Sequence, residues 1–130
     1  MEKTLALAFS PDGKWFALPC ESVIAVWSME GTRRLTYTGH GESVAALAWS
    51  PDGQTIASGT PAGNVHIWDA QTGTLLFEKR YGGPIATVYW LDTTIVIHYQ
   101  EKSTDQIEEI RQKPGDDQKM QRITFLHPPP

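Results

Sequence analysis

Residues 39–69 read GHGESVAALAWSPDGQTIASGTPAGNVHIWD, and this stretch decides the fold. Val44 to Trp49 is small and apolar. Ser50-Pro51-Asp52-Gly53 follows as a turn, because Pro presets φ and Gly supplies a positive φ. Thr55 to Ser58 is a second short strand, and Pro61-Ala62-Gly63-Asn64 turns the chain back. Val65 to Trp68 is a third strand, with Val65 and Ile67 on one face by the two-residue period of a strand. The stretch opens on Gly39-His40 and closes on Trp68-Asp69.

Outward from it, the pattern repeats. Phe9-Ser10-Pro11-Asp12-Gly13 returns as Trp49-Ser50-Pro51-Asp52-Gly53, 40 residues on. Trp27 returns as Trp68, Leu35 as Leu76, Val44 as Ile85 and Trp49 as Trp90, each 41 residues on. A fixed period of this size marks a repeat architecture.

Residues 39–69 resemble one WD-repeat of a β-propeller: four strands, roughly 40–45 residues, a Gly-His start and a Trp-Asp end. The resemblance implies an all-β fold of three consecutive four-stranded antiparallel blades, at about 1–38, 39–79 and 80–126, incomplete for ring closure. It also implies a structural hydrogen-bonded tetrad, of which His40, Ser58 and Trp68 are present. The turn Asp that would partner His40 is absent, and Ala62 stands in its place. The implied repeat-core aromatics are Phe9, Trp27, Trp49 and Trp90.

The expected strands of the first blade are Thr4–Phe9, Trp15–Leu18, Val23–Trp27 and Arg34–Thr38. This blade has Ser28 after its Trp and Leu18 in place of the second-strand Ser. Trp15 and Phe16 are adjacent and point to opposite faces, which suits a sheet packed on both sides. The second blade is the best match, with strands at Ser43–Trp49, Gln54–Ser58, Asn64–Trp68 and Thr74–Glu78. The third decays: Arg80-Tyr81 replaces Gly-His, Leu91-Asp92-Thr93-Thr94 replaces the Pro-Asp-Gly turn, and Ile110-Arg111 replaces Trp-Asp. Its strands are expected at Ile85–Trp90, Thr94–Gln100, Gln106–Arg111 and Met120–Leu126. Between them lie a longer charged turn from Glu101 to Asp105 and a polar loop from Lys113 to Lys119. Ile107 and Ile110 also fit a helical spacing, but the register with the second blade favours strand. The tail, residues 127–130, is Pro-rich and expected to be extended and exposed.

Composition narrows the function. The 130 residues carry a net charge of −4, which lacks the clustered Lys and Arg of a nucleic-acid or anionic-membrane surface. Arg33-Arg34 reads as a solvated strand edge. Cys20 is the sole cysteine, which fits a cytoplasmic setting, and it reads as a small buried residue. No apolar run approaches a membrane span, and no secretory segment is expected at the start. His40, His66, His98 and His127 have no His or Cys partner at metal-ligand spacing. His66 reads as solvated or half-buried. Asp12 and Asp52 sit in matching turns and are expected to bond their own backbone. No nucleophile motif or phosphate loop is present. The expectation is no catalytic residue, no cofactor-binding residue and no metal.

The resemblance then implies a non-catalytic scaffold for protein or peptide partners, with recognition by loops. Those loops hold Glu21 and Ser22, Glu42 and Ser43, Pro61, Pro84 and Ser103. An alternative is a self-assembling propeller that binds a small ligand such as a sugar, stacked on Trp15, Trp49 or Trp90. Propellers close with about 4–8 blades. Three blades therefore expose two apolar faces, and the expectation is either a piece of a larger propeller or two copies closing a six-bladed ring.

Overall fold

The structure, a computed structural model, describes residues 7–110, together with the backbone of 111, 112 and Met120–Leu126. Twelve strands form three antiparallel sheets of four, each in chain order. The first sheet holds β1 (Ala8–Phe9), β2 (Trp15–Cys20), β3 (Val23–Ser28) and β4 (Arg33–Tyr37). The second holds β5 (Ala46–Trp49), β6 (Thr55–Gly59), β7 (Asn64–Asp69) and β8 (Leu75–Arg80). The third holds β9 (Ile85–Leu91), β10 (Thr94–Glu101), β11 (Thr104–Gln112) and β12 (Met120–Leu126). The segment 106–112 is thus strand, with Ile110 opposite Ile95 as Trp68 is opposite Ile56. The start of the expected first strand, the 113–119 loop and the Pro-rich tail lie outside the described residues.

Two cores lie between the sheets. Ala17, Ile24, Val26 and Tyr37 of the first sheet pack on Trp49, Ile56 and Trp68 of the second. Ala57, Val65 and Ile67 of the second pack on Ile85, Val88, Ile95 and Ile110 of the third. Each buried side chain of this size contributes roughly 1.5–3 kcal/mol, so the sheets are joined by burial before any polar contact is counted. The stack does not close into a ring, and exposed apolar residues mark its two ends. Leu7 and Phe9 lie at one end, Tyr89 and Leu91 at the other.

The turns follow the sequence chemistry. Asp12 Oδ1 accepts from Ser10 Oγ at 2.6 Å and from the Lys14 amide at 2.9 Å. Asp52 repeats this with Ser50 Oγ at 2.5 Å and the Gln54 amide at 3.0 Å. These bonds, the Ser10 hydroxyl first, lower the Asp12 carboxyl below its ordinary value. After the third strand, Asp69 Oδ1 accepts from the amides of Gln71 and Thr72. Ser28 Oγ takes that place in the first sheet, accepting from the amides of Glu30 and Thr32.

Four expectations are corrected. The charged turn of the third sheet is not long. Glu101 pairs with Thr104, leaving Lys102 and Ser103 as a two-residue hairpin with φ of 53° and 64°. Both residues are left-handed, the geometry that matches the twist of the flanking strands. Cys20 is exposed rather than buried, because β2 runs two residues past its expected end and carries it to the sheet edge. His66 is buried at 6% exposure, because it faces the first sheet rather than solvent. Phe9 is 56% exposed: it holds the ladder place of Trp49, but no sheet among the described residues covers it.

Candidate functional site

One polar cluster sits at the junction of the first and second sheets. Trp68 Nε1–H donates to Ser58 Oγ at 3.1 Å, and Ser58 Oγ lies 2.6 Å from His40 Nε2. His40 Nδ1 is buried with no hydrogen-bond partner. That orphan atom is what the absent carboxylate at Ala62 would leave. Burial, reinforced by neighbouring His66, lowers the His40 pKa to about 4 against a weaker pull from Glu42, so the ring is neutral near pH 7.

His66 stacks on His40, with centroids 3.9 Å apart and planes 14° from parallel. Tyr37 stacks on Trp68 at 4.4 Å and 2°. Tyr37 Oη lies 2.7 Å from His66 Nδ1, and Glu78 Oε2 lies 3.6 Å from His66 Nε2. The carboxylate favours the proton on Nε2, so Nδ1 accepts from the Tyr37 hydroxyl. Burial lowers the His66 pKa, opposed by Glu78 and Glu42. Burial also pushes the Tyr37 phenol up to about 12, with Glu78 adding to it.

The second junction uses the same places with different chemistry. Tyr37 pairs with Ile24 and Lys79 with Val65, so the two residues hold equivalent ladder positions. His66 and Glu108 are likewise equivalent, two places before Trp68 and Ile110. Lys79 Nζ lies 3.1 Å from both Glu108 carboxylate oxygens, and Tyr81 Oη donates to the same carboxylate. Glu108 is 1% exposed, so this ion pair is buried at its acidic end. A phenol–imidazole pair at one junction is an ammonium–carboxylate pair at the next. Sequence reasoning did not find Tyr37, Lys79 or Glu108; equal spacing from the repeat Trp could have found Glu108.

The loops named from the sequence come together along one edge. Val44 N–H donates to Glu21 O, Asn64 Nδ2 to Glu42 Oε2 at 2.6 Å, Tyr81 N–H to Gly63 O, and Gln100 N–H to Pro84 O. Gly63 has φ of 100°, and a Cβ there would lie 2.6 Å from Tyr81 O. Only glycine permits that close approach of loops. Glu21, Ser43, Pro61, Pro84 and Ser103 are exposed on this rim, while Ser22 and Glu42 are half-buried. The indoles are engaged elsewhere. Trp49 Nε1–H donates to Ala8 O at 3.0 Å and Trp90 Nε1–H to Ala48 O at 3.1 Å, each reaching the preceding sheet. Trp15 lies under the Arg34 guanidinium, 3.5 Å from its ring centroid. Among the described residues no cluster of three His, Cys, Asp or Glu could hold a metal.

A family described as the anaphase-promoting complex subunit 4 WD40 domain matches residues 20–93, more than half of the chain. The chain belongs to this WD-repeat β-propeller family. It is 30% identical over 97 residues to the COMPASS component SWD1 of Saccharomyces cerevisiae, a match covering 69% of this chain and 23% of that one. It is 34% identical over 85 residues to a periodic tryptophan protein 2 homolog of Dictyostelium discoideum, covering 62% of this chain and 9% of the relative. In fold it is similar to the Swd1 β-propeller domain of Myceliophteria thermophila, with a TM-score of 0.75, 20% identity and 92% of this chain on 38% of that one. The WD40 repeats of RRP9 give the same TM-score at 18% identity, with 92% and 36% covered. The chain therefore spans less than a quarter of these curated relatives.

Proposed function

We propose that this chain is a non-catalytic WD-repeat scaffold that binds a protein or peptide partner, and that it works as part of a larger propeller. The observation that carries this is the knitted rim. Loops from all three sheets are tied to one another by backbone bonds and present exposed Glu21, Ser43, Pro61, Pro84 and Ser103 on one edge. A pre-ordered edge binds without the entropy cost of ordering separate loops. The names of relatives point the same way, since one is a component of COMPASS. The fold alone would not decide it, because one fold hosts many functions. The single cysteine supports a cytoplasmic setting.

The test is site-specific photocrosslinking in cells. A crosslinker at Ser43 or Pro61 is expected to trap one defined protein, and a crosslinker at Thr32, on the opposite edge, is expected not to. A clear thermal shift with a sugar panel and no rim adduct would favour a small-ligand propeller instead.

A further inference from the structure

A groove of about 270 Å³ opens between the second and third sheets, at the ends of β5 and β9 that point away from the rim. It is lined by Ser50, Pro51 and Asp52 from the turn of the second sheet and by Trp90, Asp92 and Thr93 of the third. Its cause is a shortened turn. Trp49 pairs with Ile56 and residues 50–55 lie between them, whereas Trp90 pairs with Ile95 and only residues 91–94 lie between them. The longer turn reaches back to the preceding sheet: a Cβ on Gly53 would meet Pro11 Cδ at 3.8 Å. Trp49 is accordingly 7% exposed. The shorter turn leaves Trp90, at the same place in the repeat, only half-buried.

The groups around this groove are held in place. Trp90 Nε1–H donates to Ala48 O at 3.1 Å, and the side chain packs partly on the core between the two sheets. Asp52 accepts from the Ser50 hydroxyl and the Gln54 amide. Asp92 has φ of 58° in a tight turn closed by the pairing of Leu91 with Thr94. An indole flanked by two carboxylates suits a guanidinium, which stacks on aromatic faces and bonds carboxylates through a planar fork. The chain uses the same pairing on its other edge indoles. Arg34 Cζ lies 3.5 Å from the Trp15 ring centroid, and Arg33 Cζ lies 5.8 Å from that of Trp27. Among the described residues no cation covers Trp90.

We infer that this groove binds an arginine side chain of a protein partner, stacked on Trp90 and paired with Asp52 and Asp92. Both walls belong to this chain, so the groove is complete within the second and third sheets. It lies on the edge opposite the rim that carries the scaffold reading, so either site can fail alone. Thr32, in the turn before β4, does not line it.

The test is a titration of the full chain, followed by the Trp90 indole N–H signal in heteronuclear NMR and identified by its loss in Trp90→Phe. The probe is the capped tripeptide acetyl-Gly-Arg-Gly-amide, and its citrulline counterpart is the neutral control. The arginine peptide should shift the Trp90 signal saturably, with a millimolar dissociation constant, and the citrulline peptide should not. Asp92→Asn keeps the left-handed backbone, which Asn tolerates, and should weaken binding about two- to fivefold. Replacing residues 91–94 with the sequence of residues 50–55 should cover the indole and abolish the shift. If that graft unfolds the third sheet, Asp92→Asn decides alone. No saturable shift with the arginine peptide, an equal shift with the citrulline peptide, or unchanged binding in Asp92→Asn overturns the inference. Free arginine, whose own carboxylate would face Asp52 and Asp92, should bind more weakly than the peptide. Tighter binding of free arginine also overturns the inference, since the occupant would then be an amino acid and not a partner's side chain.

Discussion

Tyr37 and His66 lie 29 residues apart in the chain and 2.7 Å apart in the structure, and their bond crosses from the first sheet to the second. Both residues are buried. Tyr37→Phe removes the donor and leaves a buried imidazole nitrogen unmatched, so it should cost about 1–2 kcal/mol in denaturant unfolding. Lys79→Met at the equivalent place removes the cation facing Glu108. It should cost more, about 2–4 kcal/mol, because a carboxylate is harder to leave buried than an imidazole. Equal costs in the two variants would contradict this comparison of the junctions.

The histidine pair makes stability depend on pH. The folded-state pKa values of His40 and His66 lie below the ordinary value, so the folded chain favours neutral rings and the unfolded chain binds more protons. Stability therefore rises with pH through this window. It is fully present above about 6.5 and is lost as pH falls toward 4. Tyr37, Glu42 and Glu78 face the pair, and the two carboxylates oppose the effect without reversing it. His40 contributes about 1–2 kcal/mol after discounting for partial solvent access. Thermal unfolding from pH 7.5 to 5 should show this loss, and His40→Gln should flatten it.

Trp68 has no solvent exposure and bonds Ser58, so Trp68→Ala should destabilise by about 3–5 kcal/mol. His40→Ala should cost only about 1–2 kcal/mol, because its Nδ1 makes no bond to lose. Ala62→Asp should give that nitrogen an acceptor and stabilise by about 1 kcal/mol. Unfolding curves that show Ala62→Asp neutral or harmful would break the link between that turn and His40.

Lys102 and Ser103 occupy left-handed backbone without being glycine or asparagine. Replacing them with Asn-Gly should stabilise the third sheet by about 1 kcal/mol, read as a rise in melting temperature. No change would mean that the flanking strands fully compensate the turn.

Much of the fold was legible because the repeat fixes it. Turn residues and Trp positions recur at 40 or 41 residues, and strand alternation then assigns faces. The helical spacing of Ile107 and Ile110 gave way to the ladder, since Ile110 is wholly buried opposite Ile95. The His40–Ser58–Trp68 contact was legible from the family resemblance, and the unpartnered His40 Nδ1 agrees with Ala62 standing where that resemblance places an Asp. Contacts across sheets were not. Tyr37 with His66 and Lys79 with Glu108 depend on which strand faces which, and no local signal in either partner reports that. The burial of His66 was missed for the same reason.

The central claim is that three WD-repeat sheets stack face to face, and the indole protons test it most directly. Trp49 and Trp90 each donate across a junction, to Ala8 O and Ala48 O. Proton NMR of the full chain should show both indole N–H signals slowed in exchange with water, with cross-peaks from Trp49 to Ala8 and from Trp90 to Ala48. Fast-exchanging indole protons without those cross-peaks would contradict the stacked arrangement.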